Sequence, residues 1–246
     1  MNKYDLSIII PCFNEQNNII QLVTRLKHAF RLPVREKIEI ILVNDGSTDD
    51  TKLVINSLAA RDGIVGIHHL KNKGIEEAWR TGLENARGKH VCLMDADLQN
   101  LPEDVPRLYD RVAYADIVQG YRSLKGRKRD LRFLLSRGLN LILNTLFFMD
   151  SKDNKSGFII TSRSILWNIL SHRFRYRHFQ SFIMVSAHSQ GYSIEEVETV
   201  FAPRWAGKSY MKDFPTKIIM YILLDMVKAI LEFRILSPFS KKQKQL

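Results

Sequence analysis

Asp95 and Asp97 stand one residue apart directly after His90-Val91-Cys92-Leu93-Met94, a short apolar run that reads as a buried strand. Carboxylates at the carboxyl end of such a strand lie where open α/β sheets bind ligands. Neither is buried cheaply without a positive partner. A divalent cation shared with a diphosphate would be one, because hard cations take oxygen ligands and keep substrate phosphates in their shell. The alternative is an acidic turn ahead of a helix starting at Leu101-Pro102-Glu103-Asp104.

The elements that must position this pair alternate along the first half of the chain. Leu6 to Ile10 reads as a strand ended by Pro11, and Ile19, Leu22, Val23, Leu26 and Phe30 then recur at helical spacing. Lys37 to Val43 reads as a second strand, followed by the turn Asn44-Asp45-Gly46-Ser47-Thr48-Asp49 with Ser47 as N-cap. A helix through Leu53 and Leu58, a strand from Ile64 to Leu70 and a helical face of Ile75, Ala78, Trp79, Gly82, Leu83 and Ala86 precede the Asp-x-Asp strand. Strands alternating with helices imply right-handed βαβ units and a largely parallel sheet. Pro11 to Glu15, Asp45 to Ser47 and Asp95 to Gln99 all follow strands, so they meet at one carboxyl edge.

The 246 residues, 45% hydrophobic, suffice for one large α/β domain with a C-terminal appendage. Cys12 and Cys92 lie in or beside core strands without metal-ligand spacing, which fits a reduced, cytosolic setting. The polar Met1 to Asp5 carries no secretory signal. The net charge of +11 is uneven: residues 121–180 hold 13 Lys/Arg against 3 Asp/Glu. Such a patch is either a solvated face or a site for phosphate, acidic lipid or nucleic acid. Aromatic residues are not interleaved with the basic run from Arg122 to Arg129 as single-strand binding favours, so nucleic acid is not expected.

Six segments carry a family resemblance. Ile9-Ile10-Pro11-Cys12-Phe13-Asn14-Glu15, Val43 to Asp49 and Asp95 to Gln99 resemble the nucleotide-sugar motifs of family-two glycosyltransferases. Ser136-Arg137-Gly138, Asp153 to Phe158 and Arg204-Trp205-Ala206-Gly207-Lys208-Ser209 resemble the polyprenyl-phosphate branch of that family, typified by dolichyl-phosphate mannosyltransferase. The resemblance implies a GT-A fold, a mostly parallel sheet flanked by helices, here with a C-terminal amphipathic helix. Residues 1–212 would form the catalytic domain and 213–246 a membrane-interface helix and basic tail. A dinucleotide-binding fold is disfavoured, since no G-x-G-x-x-G follows the first strand.

Carried over position by position, the resemblance assigns roles. Pro11, Phe13, Glu15, Asp45, Asp95, Asp97 and Gln99 would bind the nucleotide-sugar, with Asp45 on the base or ribose. Asp95, Asp97 and Gln99 would hold Mg²⁺ or Mn²⁺, which offsets charge on the departing nucleoside diphosphate. Arg122, Arg132, Ser136, Arg204 and Lys208 would receive the acceptor phosphate, arginine being suited by its bidentate fork. Asp97 and Arg204 would carry the catalytic function. Lys71 and Lys73 are either donor contacts or a solvated loop, and the seven histidines match no ligand spacing. Arg127, Lys128 and Arg129 read as a headgroup-facing or solvated cluster, and the stretch from Arg122 to Arg129 as a lid. Asn154-Lys155 replaces the Pro-Met of the dolichyl enzymes, so sugar specificity is not transferred.

The expected reaction moves a sugar to a dolichyl or undecaprenyl phosphate, with inversion. Two alternatives stand beside it: transfer to a saccharide hydroxyl, which needs a general base that only Asp153 offers beyond residue 103, and a non-catalytic basic binding protein. From Phe214 to Phe239, Lys217, Tyr221, Asp225, Lys228 and Glu232 fall on one stripe at about 100° per residue, with apolar residues over most of the rest. Asp225 and Lys228 near the centre would each cost about 3 kcal/mol in a bilayer, so an interfacial helix is favoured over a spanning one. Its partner is a membrane surface or a membrane protein, unless it packs on the catalytic domain. Lys241, Lys242 and Lys244 would hold the tail to anionic headgroups. The expected location is the cytoplasmic face of a membrane.

Overall fold

The structure, a computed structural model, describes residues 3–30, 37–123, 131–206 and 216–236, with the main chain alone at 131, 132 and 216–219. Seven strands form one sheet: β1 (Tyr4–Cys12), β2 (Ile38–Asn44), β3 (Val65–His68), β4 (Gly88–Leu93), β5 (Ile117–Arg122), β6 (Ile159–Ser162) and β7 (Ile194–Thr199), in the order β3-β2-β1-β4-β6-β5-β7. All neighbouring pairs are parallel except those of β6, which runs antiparallel to β4 and β5. The helices are α1 (Ile19–Ala29), α2 (Thr51–Asp62), α3 (Ile75–Asn85), α4 (Asp104–Tyr109), α5 (Leu131–Phe147), α6 (Arg163–Leu170), α7 (Ile183–Ser189) and α8 (Thr216–Ile230).

The central strands are continuous apolar runs because both faces of the sheet are covered. Leu6, Ile8 and Ile10 of β1 pack with α1, α2 and α4, while Ile9 points to the opposite layer with Trp79 and Leu83 of α3. Each fully buried Ile or Leu contributes about 1.5–3 kcal/mol relative to exposure. Two local expectations are corrected. Pro11 does not end the first strand: it lies inside β1, in register with Val43 of β2. Pairing with β4 stops at Ile9 and Leu93, so the N–H that proline lacks is not needed on that side. Ser47 does not cap a helix, because α2 starts only at Thr51; its amide donates to Asn44 Oδ1 at 3.0 Å within the turn.

The C-terminal helix packs on the α/β sheet domain, and by its polar stripe. Asp225 and Glu232 are 1% and 6% exposed. Asp225 accepts the amides of Arg177 and His178, and Glu232 those of Arg173 and Phe174 together with the Tyr176 hydroxyl at 2.9 Å. Met226, Ala229 and Phe233 join the core beside them, the last from a π-helical continuation, Leu231–Leu236. The helix is amphipathic as its sequence implies, with the apolar Met220, Leu223, Leu224, Val227 and Leu231 left outward. Among the described residues no helix is long and apolar enough to cross a membrane. Phe214, Pro215 and the tail lysines lie outside them.

Candidate functional site

Three strand ends converge because β1 lies between β2 and β4. Asn14, with φ of 56°, turns the chain after β1 and stitches its loop to the next one. Its amide donates to Ser47 Oγ at 3.0 Å and its Oδ1 accepts the Thr48 amide at 2.8 Å. Gly46 has φ of +69°, and a Cβ there would meet the Lys71 carbonyl carbon at 2.3 Å and the Asn72 nitrogen at 2.5 Å. Only glycine lets the 71–74 segment lie across this turn.

Asp45 holds that segment. Its Oδ1 accepts the Lys73 amide at 2.8 Å and pairs with His69 Nδ1 at 2.7 Å, and its Oδ2 accepts the Gly74 amide at 2.8 Å. His69 is fixed in turn by Thr81 Oγ1 at 2.9 Å. His69 is thus a structural member of the site that ligand spacing does not reveal, because its partner lies 24 residues away.

Around the Asp-x-Asp turn the charges are unevenly answered. Leu98, with φ of 62°, bends the chain so that Asp97 Oδ1 accepts the Gln99 amide at 3.0 Å. The 201–205 segment returns against this turn: Ala202 donates its amide to Gln99 O at 2.9 Å and Trp205 its amide to Asp97 O at 3.4 Å. That return brings Arg204 onto Glu15, with the same guanidinium 3.7 Å from Asp97 Oδ2. Asn18 Nδ2 also donates to Glu15 Oε2 at 2.5 Å. Burial nevertheless holds the Glu15 and Asp97 carboxyls above their ordinary range. Asp95 accepts no side-chain or backbone hydrogen bond among the described residues. Burial, and then the neighbouring Asp97, push its carboxyl up to about 6.

This arrangement fits a hard divalent cation. Asp95 is a half-buried carboxylate without a hydrogen-bond donor, beside a second one, and Gln99 adds an amide oxygen. Among the described residues no three His, Cys, Asp or Glu side chains form a complete ligand cluster. The set leaves coordination positions for diphosphate oxygens and water, as Mg²⁺ and Mn²⁺ at phosphate sites require.

The basic side of the site is built from β5, α5 and residues 151–158. Arg122 grips Asp153 bidentately, Nε to Oδ2 at 2.5 Å and Nη2 to Oδ1 at 2.7 Å, and lies 5.2 Å from the Phe201 ring centroid. Ser136 of α5 lines a recess with Arg122, Phe133, Asn140, Lys152 and Asp153. The 153–158 motif is tied to β5 by Gln119, whose amide donates to Asp153 O at 2.9 Å and Ser156 O at 3.0 Å. Asn154 donates to Asn140 Oδ1 at 3.0 Å and Asn144 Oδ1 at 2.8 Å, anchoring α5. The structure therefore gathers Glu15, Asp95, Asp97, Gln99, Arg122 and Arg204 about one edge, with Pro11 and Phe13 on the adjoining strand end. Ser136 stands in the Arg122 recess. The Arg132 side chain, Lys208 and the Arg127 to Arg129 cluster lie outside the described residues.

Residues 7–170 match the model of Glycosyl transferase family 2. The chain is 31% identical over 226 residues to undecaprenyl-phosphate 4-deoxy-4-formamido-L-arabinose transferase of Pseudomonas paraeruginosa, covering 90% of this chain and 64% of that protein. It is 28% identical over 214 residues to dolichol-phosphate mannosyltransferase of Pyrococcus furiosus, covering 84% of this chain and 59% of that one. The chain thus spans somewhat under two thirds of these relatives. In fold it resembles glucosyl-3-phosphoglycerate synthase of Mycobacterium tuberculosis, solved with Mn²⁺, uridine diphosphate and glucosyl-3-phosphoglycerate. That match has a TM-score of 0.65 at 17% identity, over 93% of this chain and 79% of that one.

Proposed function

We propose, from the premise that this chain belongs to glycosyl transferase family 2, that it moves a sugar from a nucleotide-sugar to a polyprenyl phosphate, with inversion. The carrying observation is the electrostatic layout. Two under-compensated carboxylates, Asp95 and Asp97, lie between two arginines, Arg122 and Arg204, each of which is held by a different acid. The relatives named for undecaprenyl and dolichol phosphate support the acceptor class.

Each residue then has a task. Asp45 fixes the 71–74 segment over the nucleoside pocket, and its Oδ2, which accepts one hydrogen bond, retains a lone pair for a ribose hydroxyl or base N–H. Pro11 and Phe13 shape that pocket, and Glu15 sets Arg204. Asp95, Asp97 and Gln99 would hold Mg²⁺ or Mn²⁺, which supplies Lewis-acid stabilisation of the diphosphate leaving group. Arg122, Arg204 and Ser136, with Arg132 and Lys208, hold the acceptor phosphate in line with the anomeric carbon, a positioning task. A phosphate monoester has a second pKa of about 6, so its oxygen is a nucleophile at neutral pH without a general base. The phosphate oxygen forms the bond to the anomeric carbon as the bond from that carbon to the diphosphate breaks. No proton changes hands, and a single displacement inverts the centre.

The second reading, a saccharide hydroxyl acceptor, needs a base. Asp153, the candidate the sequence offers, has both oxygens on the Arg122 guanidinium, which disfavours that role. The protein would work peripherally on the cytoplasmic face of a membrane, where the acceptor lipid lies, with the lipid surface or a membrane protein as partner. Incubation with nucleotide-sugars, Mn²⁺ or Mg²⁺ and polyprenyl phosphate should yield a lipid-linked sugar, and polyprenol without the phosphate should yield none. Equal transfer to polyprenol or to a soluble saccharide would overturn the assignment.

A further inference from the structure

The outward face of α8 has a charged border. Met220, Leu223, Leu224, Val227 and Leu231 recur at steps of three and four along the helix and are each 41% to 57% exposed. Beside them runs His172-Arg173-Phe174-Arg175-Tyr176-Arg177-His178. Its side chains alternate although the chain bends at Arg173-Phe174 and at Arg177-His178: Phe174 and Tyr176 turn into the core, and Arg173, Arg175 and Arg177 are exposed.

This segment is tied to the helix along its length, the Phe174 and His178 amides and the Tyr176 hydroxyl included. Glu232 takes the Arg173 amide at 2.5 Å, Lys228 donates to the Arg175 carbonyl at 2.8 Å, and Asp225 takes the Arg177 amide at 2.8 Å. The Arg177 guanidinium lies 4.0 Å from the Tyr221 ring centroid. Successive arginines therefore stand level with successive turns of α8. Their partners on the helix, Glu232, Lys228 and Asp225, are spaced four and three residues apart, about one turn of 5.4 Å at each step. The outcome is a rail of three guanidiniums along one flank of an exposed apolar face. Among the described residues none of the three is in an ion pair.

We propose that this face and its arginine rail form a docking surface for an anionic lipid bilayer. The apolar residues enter the boundary between headgroups and acyl chains, and the guanidiniums meet lipid phosphates, the two terms by which interfacial helices bind. A second copy of the chain is a poorer occupant. It would bring three more guanidiniums to the border, while the acids of the helix, Asp225 and Glu232, are buried and each accepts three hydrogen bonds already. The inference deepens the membrane part of the reading above and rests on it.

The test is sedimentation of the 246-residue chain with vesicles of phosphatidylcholine alone or mixed with phosphatidylglycerol. Replacing Arg173, Arg175 and Arg177 together by Gln should lower partitioning onto the mixed vesicles roughly 100-fold, at about a factor of five for each arginine. Nucleoside diphosphate affinity should stay as it was, and Lys at the same three positions should restore binding. Leu224→Ser with Val227→Ser should weaken binding to both vesicle types. Wild-type partitioning of the Gln variant overturns the proposal, as does an intact chain that is indifferent to phosphatidylglycerol. So does a dimer, seen by light scattering, that leaves no vesicle binding. Because no sugar transfer is read, a wrong acceptor assignment and a wrong docking surface give different results.

Discussion

Two pairs of acids lie in opposite surroundings. Asp225 and Glu232 sit beneath α8, 1% and 6% exposed, and each accepts three hydrogen bonds. Asp95 and Asp97 sit at the carboxyl edge of the sheet, and between them they accept one main-chain amide, with Arg204 at 3.7 Å from Asp97. The first pair has its charge answered by the fold. The second is left under-compensated, and burial drives the Asp95 carboxyl up to about 6. A buried charge without partners is unfavourable to the folded state, so an acid kept that way is available to a cation that arrives with a ligand. The comparison separates acids whose charge the fold answers from acids it leaves open to a cation.

Asp97→Asn should break the chemical side most severely. It removes a charge from the proposed metal site with no change of volume, so turnover should fall about 10³-fold at saturating donor and metal while the far-UV dichroism is unchanged. Near-normal turnover would remove Asp97 from the metal site. Next in size is the pair of arginines. Arg204→Ala, and likewise Arg132→Ala, should lower use of the lipid phosphate about 10²-fold, with a much smaller change in nucleoside diphosphate affinity by calorimetry. Equal losses in both measurements would move these residues to the donor side, where Arg204 would act through Glu15.

On the structural side, Glu232→Ala strands two amides and the Tyr176 hydroxyl in the interior. It should destabilise the chain by about 3 kcal/mol, lowering Tm by roughly 6–12 °C. Glu232→Gln keeps the acceptor oxygen and should fall between this variant and the wild type. A Tm unchanged in Glu232→Ala would mean that α8 does not depend on these bonds.

Most of the frame that carries the site is legible from residue patterns. Ile8-Ile9-Ile10 and Val91-Cys92-Leu93 announce strands buried on both faces, and α1 and α3 follow from their apolar spacing. The Asp-x-Asp after a strand marks the carboxyl edge because parallel topology leaves it nowhere else to go. What is not legible depends on contacts across long separations. Arg204 reaches Glu15 over 189 residues, and Arg122 neutralises Asp153 over 31, which turns the one candidate base into a counter-ion. The stripe of Asp225, Lys228 and Glu232 is plain in the sequence, but periodicity alone does not say whether a polar stripe faces water or an amide-rich loop. Arg173, Arg175 and Arg177 enter a charge count as three more cations; their period of two, opposed to Phe174 and Tyr176, was the available signal. Pro11 misleads because proline is compatible with a strand position whose N–H side is unpaired.

The smallest expected effect is also the sharpest test of the contrast, because it should have the opposite sign. Asp95→Asn keeps the volume and removes the charge that burial disfavours. At neutral pH Asp95 is ionised in both the folded and unfolded chains, but only in the folded chain is that charge desolvated and set beside Asp97, which is why its carboxyl stands at about 6 rather than 3.8. One pKa unit corresponds to about 1.4 kcal/mol, so the metal-free variant should gain about 1–3 kcal/mol after allowance for solvent relaxation, a rise of a few degrees in Tm. Adding Mn²⁺ with a nucleoside diphosphate should reverse the ranking, since a ligand stabilises the chain that binds it by RT ln(1 + [L]/Kd), which grows as the ligand concentration exceeds Kd. Differential scanning fluorimetry with and without that mixture reads both halves. A lower Tm for metal-free Asp95→Asn would show that Asp95 is held by the fold as Glu232 is, and the distinction between the two pairs would be lost.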